Sequence, residues 1–438
     1  MARFFKPQKK KTLDTKHKAV SVVRLDHQGD GVAFDGKKPV FVAGALPGEE
    51  VVVQLTEDKR QFARARLIKV VKASAERIKP FCRHYGVCGG CNLQHLGHKA
   101  QIEAKQATLS QLMKKFASAD LAQDAPVISK PLAYRRRARL SVKVSKQGEL
   151  EMGFRQRSTN DIVTVTDCPV LSTELNALLP GVYSLLDGLR GRRIIGHIEL
   201  VDSDAGRVLL VRAIKLLHDE DISRLKAFAG EHNLVLYLQQ EDGEAVRLTG
   251  PQPAYSIGGQ TLAFEPQDFI QVNADINEKM IAQALDWLAL DESDKVLDLF
   301  CGLGNFSLPL AEKVKAVVGI EGVEEMVARA SQNALSNNQA NARFYHANLE
   351  LDVTGTVWGK EQYNKILLDP ARAGALEVMP YVAQSEAERI VYVSCNPATL
   401  ARDSQVLLEN GYQLVRLGML DMFPHTGHLE SMALFVRE

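Results

Sequence analysis

The chain has no apolar stretch of signal length behind its charged start and no window able to span a bilayer. Neither a secreted nor a membrane-inserted protein is expected, and the reading is cytoplasmic, where thiols stay reduced. Charge shows no surplus of either sign, with 54 basic against 53 acidic residues, so the overall balance points to no partner. The absence of internal repeats excludes solenoid architectures, and no tract is of low complexity. Cysteine is scarce, six in 438 residues, and in a reducing compartment each needs a reason other than a disulfide.

What is present is ordinary in amount and informative in placement. Hydrophobic residues make up 45% and charged ones 24%, as in a globular protein long enough for two or three domains. From residue 13 to 74, short β-type runs ("AVSVVRL", "PVFVAG", "EEVVVQLTE", "ARARLIKVV") alternate with turns such as "HQGDG" and "FDGKK". That spacing predicts a small antiparallel barrel of oligonucleotide-binding type. Lys59, Arg60, Arg64, Arg66 and Lys69 fall on exposed positions of its strands, as contact with RNA would require. Residues 75–262 mix a helix ("HKAQIEAKQATLSQLMKKFA") with strands and carry four of the cysteines, giving a mixed α+β domain. From 263 to 438 strand and helix alternate, which predicts a doubly wound parallel sheet, with ligands at the C-terminal strand ends.

Five strand ends there carry polar or reactive groups: "DLFCGLGNFS" at 298–307, Glu321, Asn348, "DPAR" at 369–372 and Cys395. The glycines of the first let backbone approach a ligand, and a helix N-terminus follows. Glu321, about twenty residues on, is placed to accept bonds from ribose hydroxyls. The full dinucleotide fingerprint is absent, and the turn resembles motif I of class I S-adenosylmethionine-dependent methyltransferases. Asn348 then suits a contact near the adenine.

Asp369 and Cys395 end strands expected to be neighbours, so a carboxylate and a thiol would share one pocket. Pro397 fits a first helical turn, and a helix N-terminus beyond Cys395 is expected to lower its pKa. Carbon 5 of a pyrimidine is a poor nucleophile. Thiolate addition at carbon 6 makes it an enolate carbon able to take a methyl group, after which a base must remove the carbon-5 proton. Glu430, before the final strand, is the candidate base, with His425 and His428 as rivals. Cys301, inside the Gly-rich turn, reads as packing.

Cys82, Cys88 and Cys91 (C-x5-C-x2-C) with Cys168 form a second set. Four thiolates suit a cubane iron–sulfur cluster or structural zinc, and ligand type does not separate the two. His84, His95 and His98 also allow a Cys3His zinc site.

"SCNP", "LLDPAR", "DLFCGLGNFS", "FIQVN" and "FPHTGHLES" together resemble the RNA uracil-C5-methyltransferase family. The resemblance covers the C-terminal half and implies Cys395 as nucleophile and Glu430 as base. It also implies Gln271, Phe300, Asn305, Glu321, Asn348 and Asp369 as S-adenosylmethionine contacts. Arg372 would touch the uracil edge, and Phe269 would stack on a flipped base. In that family C-x5-C-x2-C with a distant Cys-Pro marks a [4Fe-4S] cluster. Cluster and barrel together resemble the branch that modifies uracil 1939 of 23S rRNA, and residues 13–74 resemble a TRAM domain. The implied partner is 23S rRNA, with neither membrane nor DNA, and a monomer is expected. The basic N-terminal tail and "RRRAR" at 135–139 would then contact phosphates.

Overall fold

The computed structural model describes residues 16–117 and 121–437. The basic N-terminal tail, expected above to contact phosphates, lies almost wholly outside them. The described residues fall into two compact units. One takes residues up to 81, 92–104 and 425–427, and the other takes 82–91, 105–424 and 428 onward.

The first unit is built on a six-stranded sheet ordered Ser21, Asp58, Lys72, Ala43, Asp35 and Leu25 by the last residue of each strand. In Glu50–Asp58 alternate residues Val51, Val53 and Leu55 are buried, because a period-two pattern puts one face on the barrel core. Glu49, from the Pro-Gly-Glu segment, is wholly buried and accepts from Leu46 N at 2.8 Å, Ser74 N at 3.2 Å and the Arg77 guanidinium at 2.8 Å. These donors hold its carboxyl below its ordinary value despite burial. Lys59, Arg60, Arg64, Arg66 and Lys69 are all exposed, as expected. Arg64 lies 5.7 Å and 5.9 Å from the ring centres of the paired Phe41 and Phe62.

The second unit holds two seven-stranded sheets. The central one is largely antiparallel, with its parallel pair at Arg207–Ala213 and Leu234–Gln240, and it carries the helices Thr173–Asp187 and Asp219–Glu231. The other comprises β1 (Lys295–Leu299), β2 (Ala316–Glu321), β3 (Ala342–His346), β4 (Lys365–Leu368), β5 (Arg389–Ser394), β6 (Gln413–Leu420) and β7 (Glu430–Val436). Its order is β3-β2-β1-β4-β5-β7-β6, parallel except for β7, which runs antiparallel to both β5 and β6. β4 and β5 read as near-continuous apolar runs, and both, like β1, are buried along almost their whole length, as central strands of such a sheet are. The helix Ala274–Leu288 is capped by Asn273, which accepts from Ile276 N. It buries Ile276, Met280, Ala284, Trp287 and Leu288 at helical spacing. One apolar core runs from that helix and β1 to Val201, Val208 and Tyr237 of the central sheet.

"RRRAR" departs from its phosphate-binding expectation. Arg136 is 7% exposed, donates to the Gln271 carbonyl at 2.7 Å and stacks 4.6 Å from the Tyr255 ring. Arg137 donates to the carbonyls of Pro266 and Asp268 and to Glu199. Two of the three consecutive arginines therefore clamp the loop 266–272 instead of facing a nucleic acid. A strand puts alternate residues on opposite faces, so a run of like residues cannot all be exposed.

Candidate active site

Three strand ends meet at the middle of the methyltransferase-like sheet. Leu368 of β4 pairs with Leu299 of β1 and Tyr392 of β5, so Asp369 stands between Phe300 and the end of β5. Ser394 pairs with Ser431, which sets the next pair, Cys395 and Glu430, opposite one another. The thiol and the candidate base thus come from antiparallel neighbours, 35 residues apart in sequence and adjacent in the sheet.

Burial dominates the electrostatics. Glu430 is 6% exposed, and its carboxyl is pushed up to about 8, first by burial and then by Asp369, against Lys105 and Arg372. Burial also raises Asp369, to about 7. Cys395 is half-buried, and its thiol is pushed up to about 11 by burial and by the Glu430 and Asp369 carboxylates, with Arg372 opposing. This reverses the expected depression. Pro397 and Asn396 do open the helix Pro397–Glu409, but the Asn396 side chain caps it by accepting from Ala398 N at 3.1 Å. Two neighbouring carboxylates and desolvation outweigh the helix terminus.

Asn396 also donates to the Arg372 carbonyl at 3.0 Å, tying the loop after Asp369 to the nucleophile's own turn. Arg372 reaches His428 Nδ1 at 3.3 Å, and the guanidinium together with desolvation holds that imidazole below its ordinary value. Of the two rival bases, His428 thus lies beside Arg372, and His425 packs on Phe81 at 4.9 Å and Gln101 at 3.1 Å in the first unit.

Beside these groups a cavity of about 460 Å³ is lined by Phe300, Glu321, Asn348, Leu349, Ala371 and Arg402, among others. The Gly-rich turn reaches the cavity through Phe300; Phe300, Gly302 and Gly304 are all at positive φ, a conformation costly for Phe300 and the reason the other two are glycine. Glu321 accepts from Gly302 N at 3.1 Å, Gly322 N at 2.8 Å and Val323 N at 3.0 Å, leaving lone pairs for hydroxyls. A cavity of this size, polar at Glu321 and Asn348 and apolar at Leu349, suits an adenosine group.

Other residues named from the sequence fall differently. The Asn305 amide is engaged by Tyr255 at 3.0 Å and reciprocally by Asn277 at 3.0 Å and 2.9 Å, so its side chain braces the turn. Gln271 is buried on the loop that Arg136 holds, and Phe269 of that loop stands 67% exposed. Cys301 is 3% exposed with its thiol pushed well up, as packing requires. The sequence reading assigned no role to Asp298, which is fully buried beneath the turn and bonded to Ser307, or to Lys105, which is fixed on Asp421 at 2.8 Å and faces Glu430. Neither carries a local signal, because burial decides both.

None of the six cysteines is in a disulfide. Among the described residues no group of three or more His, Cys, Asp or Glu is placed to hold a metal ion. Burial raises the Cys88 thiol, with Cys82 adding to it, and pushes Cys168 up to about 11, with Cys82 and Cys88 adding to it; Cys91 and Cys168 both bear on Tyr134. The segment 82–91 is pinned to the central sheet, with Gly89 N on Arg155 O and Arg157 N on Val87 O, each at 3.0 Å.

The sheet order, the Gly-rich turn and the carboxylate after β2 define a class I methyltransferase fold. Residues 97–438 match the tRNA (Uracil-5-)-methyltransferase family and residues 16–68 match the TRAM domain. The chain belongs to that methyltransferase family. It is 55% identical to the 23S rRNA (uracil(1939)-C(5))-methyltransferase RlmD of Photobacterium profundum, covering 100% of this chain and 97% of that one. It is 56% identical to the RlmD of Vibrio cholerae over 100% of both. Among solved structures, the Pyrococcus abyssi tRNA (uracil-54, C5)-methyltransferase bound to S-adenosyl-L-homocysteine shares the fold, with a TM-score of 0.76 at 23% identity, covering 96% of this chain and 100% of that one.

Proposed function

We propose that this chain methylates carbon 5 of one uracil in 23S rRNA, the counterpart of uracil 1939, using S-adenosylmethionine. The observation that carries the chemistry is the Cys395–Glu430 pair at the end of β5 and β7, beside a cavity fit for the methyl donor. End-to-end similarity to relatives named for that uracil supports the choice of RNA.

Cys395 adds through its sulfur to carbon 6 of the uracil, and the ring's electron pair moves toward carbon 5. When bound, the donor supplies an electrophilic methyl group and a positive sulfonium. That charge favours ionisation of Cys395, whose half-buried thiol can release its proton to solvent. Carbon 5 takes the methyl as the sulfonium's S–CH3 bond breaks, the electron pair staying on the sulfur of the departing S-adenosylhomocysteine. Glu430 as carboxylate then removes the carbon-5 proton, the ring double bond re-forms, and the Cys395 sulfur departs. Glu430's raised pKa makes it basic enough for a carbon acid near neutral pH, and that is the use of its burial. Glu321 and Asn348, with Phe300, Asp369, Gln271 and the backbone at Asn305, hold the donor. Arg372 meets the uracil edge, and Phe269 stacks on the extruded base.

Cys82, Cys88, Cys91 and Cys168 would be the four thiolate ligands of a [4Fe-4S] cluster, a reading supported by Cys82 and Cys88 lying near enough to Cys168 to raise its thiol. Its chemistry here would be structural, stapling 82–91 to the central sheet, since methyl transfer needs no electron. Iron and sulfide content should fall in Cys168→Ser.

The test is mass mapping of 23S rRNA from a strain lacking the protein, before and after incubation with it and S-adenosylmethionine. One 5-methyluridine should be missing and then restored. Methyl appearing in tRNA instead would overturn the reading.

A further inference from the structure

We propose that the exposed part of one face of the central sheet, around Arg139 and Arg155, is an RNA-binding surface that takes the sugar–phosphate backbone beside the target uracil; the rest of that face, at Val201, Val208 and Tyr237, is core. The inference rests on the reading of RNA as substrate.

The register builds this face. Arg139 pairs with Glu199, His197 pairs with both Ser141 and Arg212, and Ser141 pairs with Gly153, which puts Arg155 on the same side. The alternate residues Ala138, Leu140, Val142, Ile198, Leu200 and Val211 turn to the apolar core on the other side. Arg137, Arg139, Arg155 and Arg212 therefore share one face with a single buried acid. Arg137 and Arg212 hold Glu199 at 2.9 Å and 3.1 Å, and Arg139, at 4.0 Å, keeps a side chain 52% exposed. Arg155 is exposed as well. The remaining pair on this face, Lys143 opposite Glu151, cancels.

Like charges on neighbouring strands cost stability, and a purely solvated face would alternate signs. A general excess of basic residues does not explain the cluster, since the whole chain carries a net charge of only +1. Desolvation together with Arg139, Arg212 and Arg155 holds His197 below its ordinary value, so the imidazole between them is a neutral hydrogen-bonding group. The face also leads to the site. Arg137, at its edge, donates to Pro266 and Asp268 of the loop that presents Phe269. RNA whose base is stacked on Phe269 would run its phosphates onto Arg139 and Arg155, where guanidinium charge in excess of the single Glu199 carboxylate matches phosphate.

The experiment measures binding of a 23S rRNA fragment containing the target uracil to full-length protein across salt concentrations, for wild type, Arg139→Ala/Arg155→Ala and Arg139→Lys/Arg155→Lys. Each phosphate contact contributes about 0.7 to the salt slope of single-stranded RNA, so the alanine pair should lose about 1.4 of slope and on the order of tenfold in affinity. The lysine pair should retain most of the slope, and a thermal melt identical to wild type shows that the fold is kept. A wild-type slope and affinity in the alanine pair would overturn the proposal. So would unchanged affinity for RNA with lost capture of an acidic protein surface. The readout is binding, so a wild-type protein that binds with the expected slope yet leaves the uracil unmethylated would overturn the functional reading and not this surface.

Discussion

Replacing Glu430 by Gln separates catalysis from stability in opposite directions. The folded protein holds this carboxyl at about 8 against an ordinary 4.5, so between those values the native state keeps a proton that the unfolded chain has lost. Stability then falls as pH rises, by about 1.4 kcal/mol per pH unit, and the fully ionised buried group costs about 5 kcal/mol. Glutamine preserves the shape and removes the titration. Urea melts from pH 5 to 9 should show the variant losing less stability than wild type with rising pH, the gap opening above about pH 5 and levelling beyond about 8. The same variant should methylate once and remain bound to its RNA, because the carbon-5 proton has no acceptor. In wild type, the carboxylate fraction rises about fivefold from pH 7 to pH 8, and product release should follow it when release is limited by this proton. Parallel stability curves for the two proteins, or free turnover by the variant, would refute the reasoning.

Three further perturbations test the surroundings. Glu321→Gln removes a carboxylate from the cavity and should weaken S-adenosylhomocysteine binding about 10- to 100-fold by calorimetry, the range for hydrogen bonds to a charged group. Lys105→Met removes the buried cation from Asp421 in a site where both are nearly inaccessible, and should cost about 3–5 kcal/mol by urea melts; adding Asp421→Leu should recover most of it. Gly374→Ala places a Cβ 2.5 Å from Asp403 Oδ2 at a φ of +81°. Asp403 also accepts from Ala375 N at 2.7 Å, so the 369–375 loop should shift and methyl transfer should slow in a steady-state assay.

The sheet was legible because its strands are largely apolar runs ending in polar groups, and Glu321, Asp369 and Cys395 stand at such ends, with Asp298 one residue inside the end of β1. The pairing of Cys395 with Glu430 was only half legible. A candidate base near the last strand follows from the residues, but its position opposite the thiol depends on β7 inserting antiparallel between β5 and β6, which no local pattern states. The thiol's proton affinity was misjudged for the same reason: the helix terminus is local, whereas Glu430 and Asp369 arrive from distant strands. Arg136 and Arg137 were misread because charge predicts exposure only until a buried carbonyl needs a donor.

The central claim is a transient bond between Cys395 and the target ring. RNA carrying 5-fluorouridine at that uracil has no carbon-5 proton for Glu430 to remove, so with S-adenosylmethionine the wild-type protein should form a complex that survives denaturation, its mass the sum of protein, RNA and one methyl group, attached at Cys395. Cys395→Ala should form none and should transfer no methyl to ordinary RNA. An alanine variant that methylates at the wild-type rate, or an adduct on Cys301, would contradict the account.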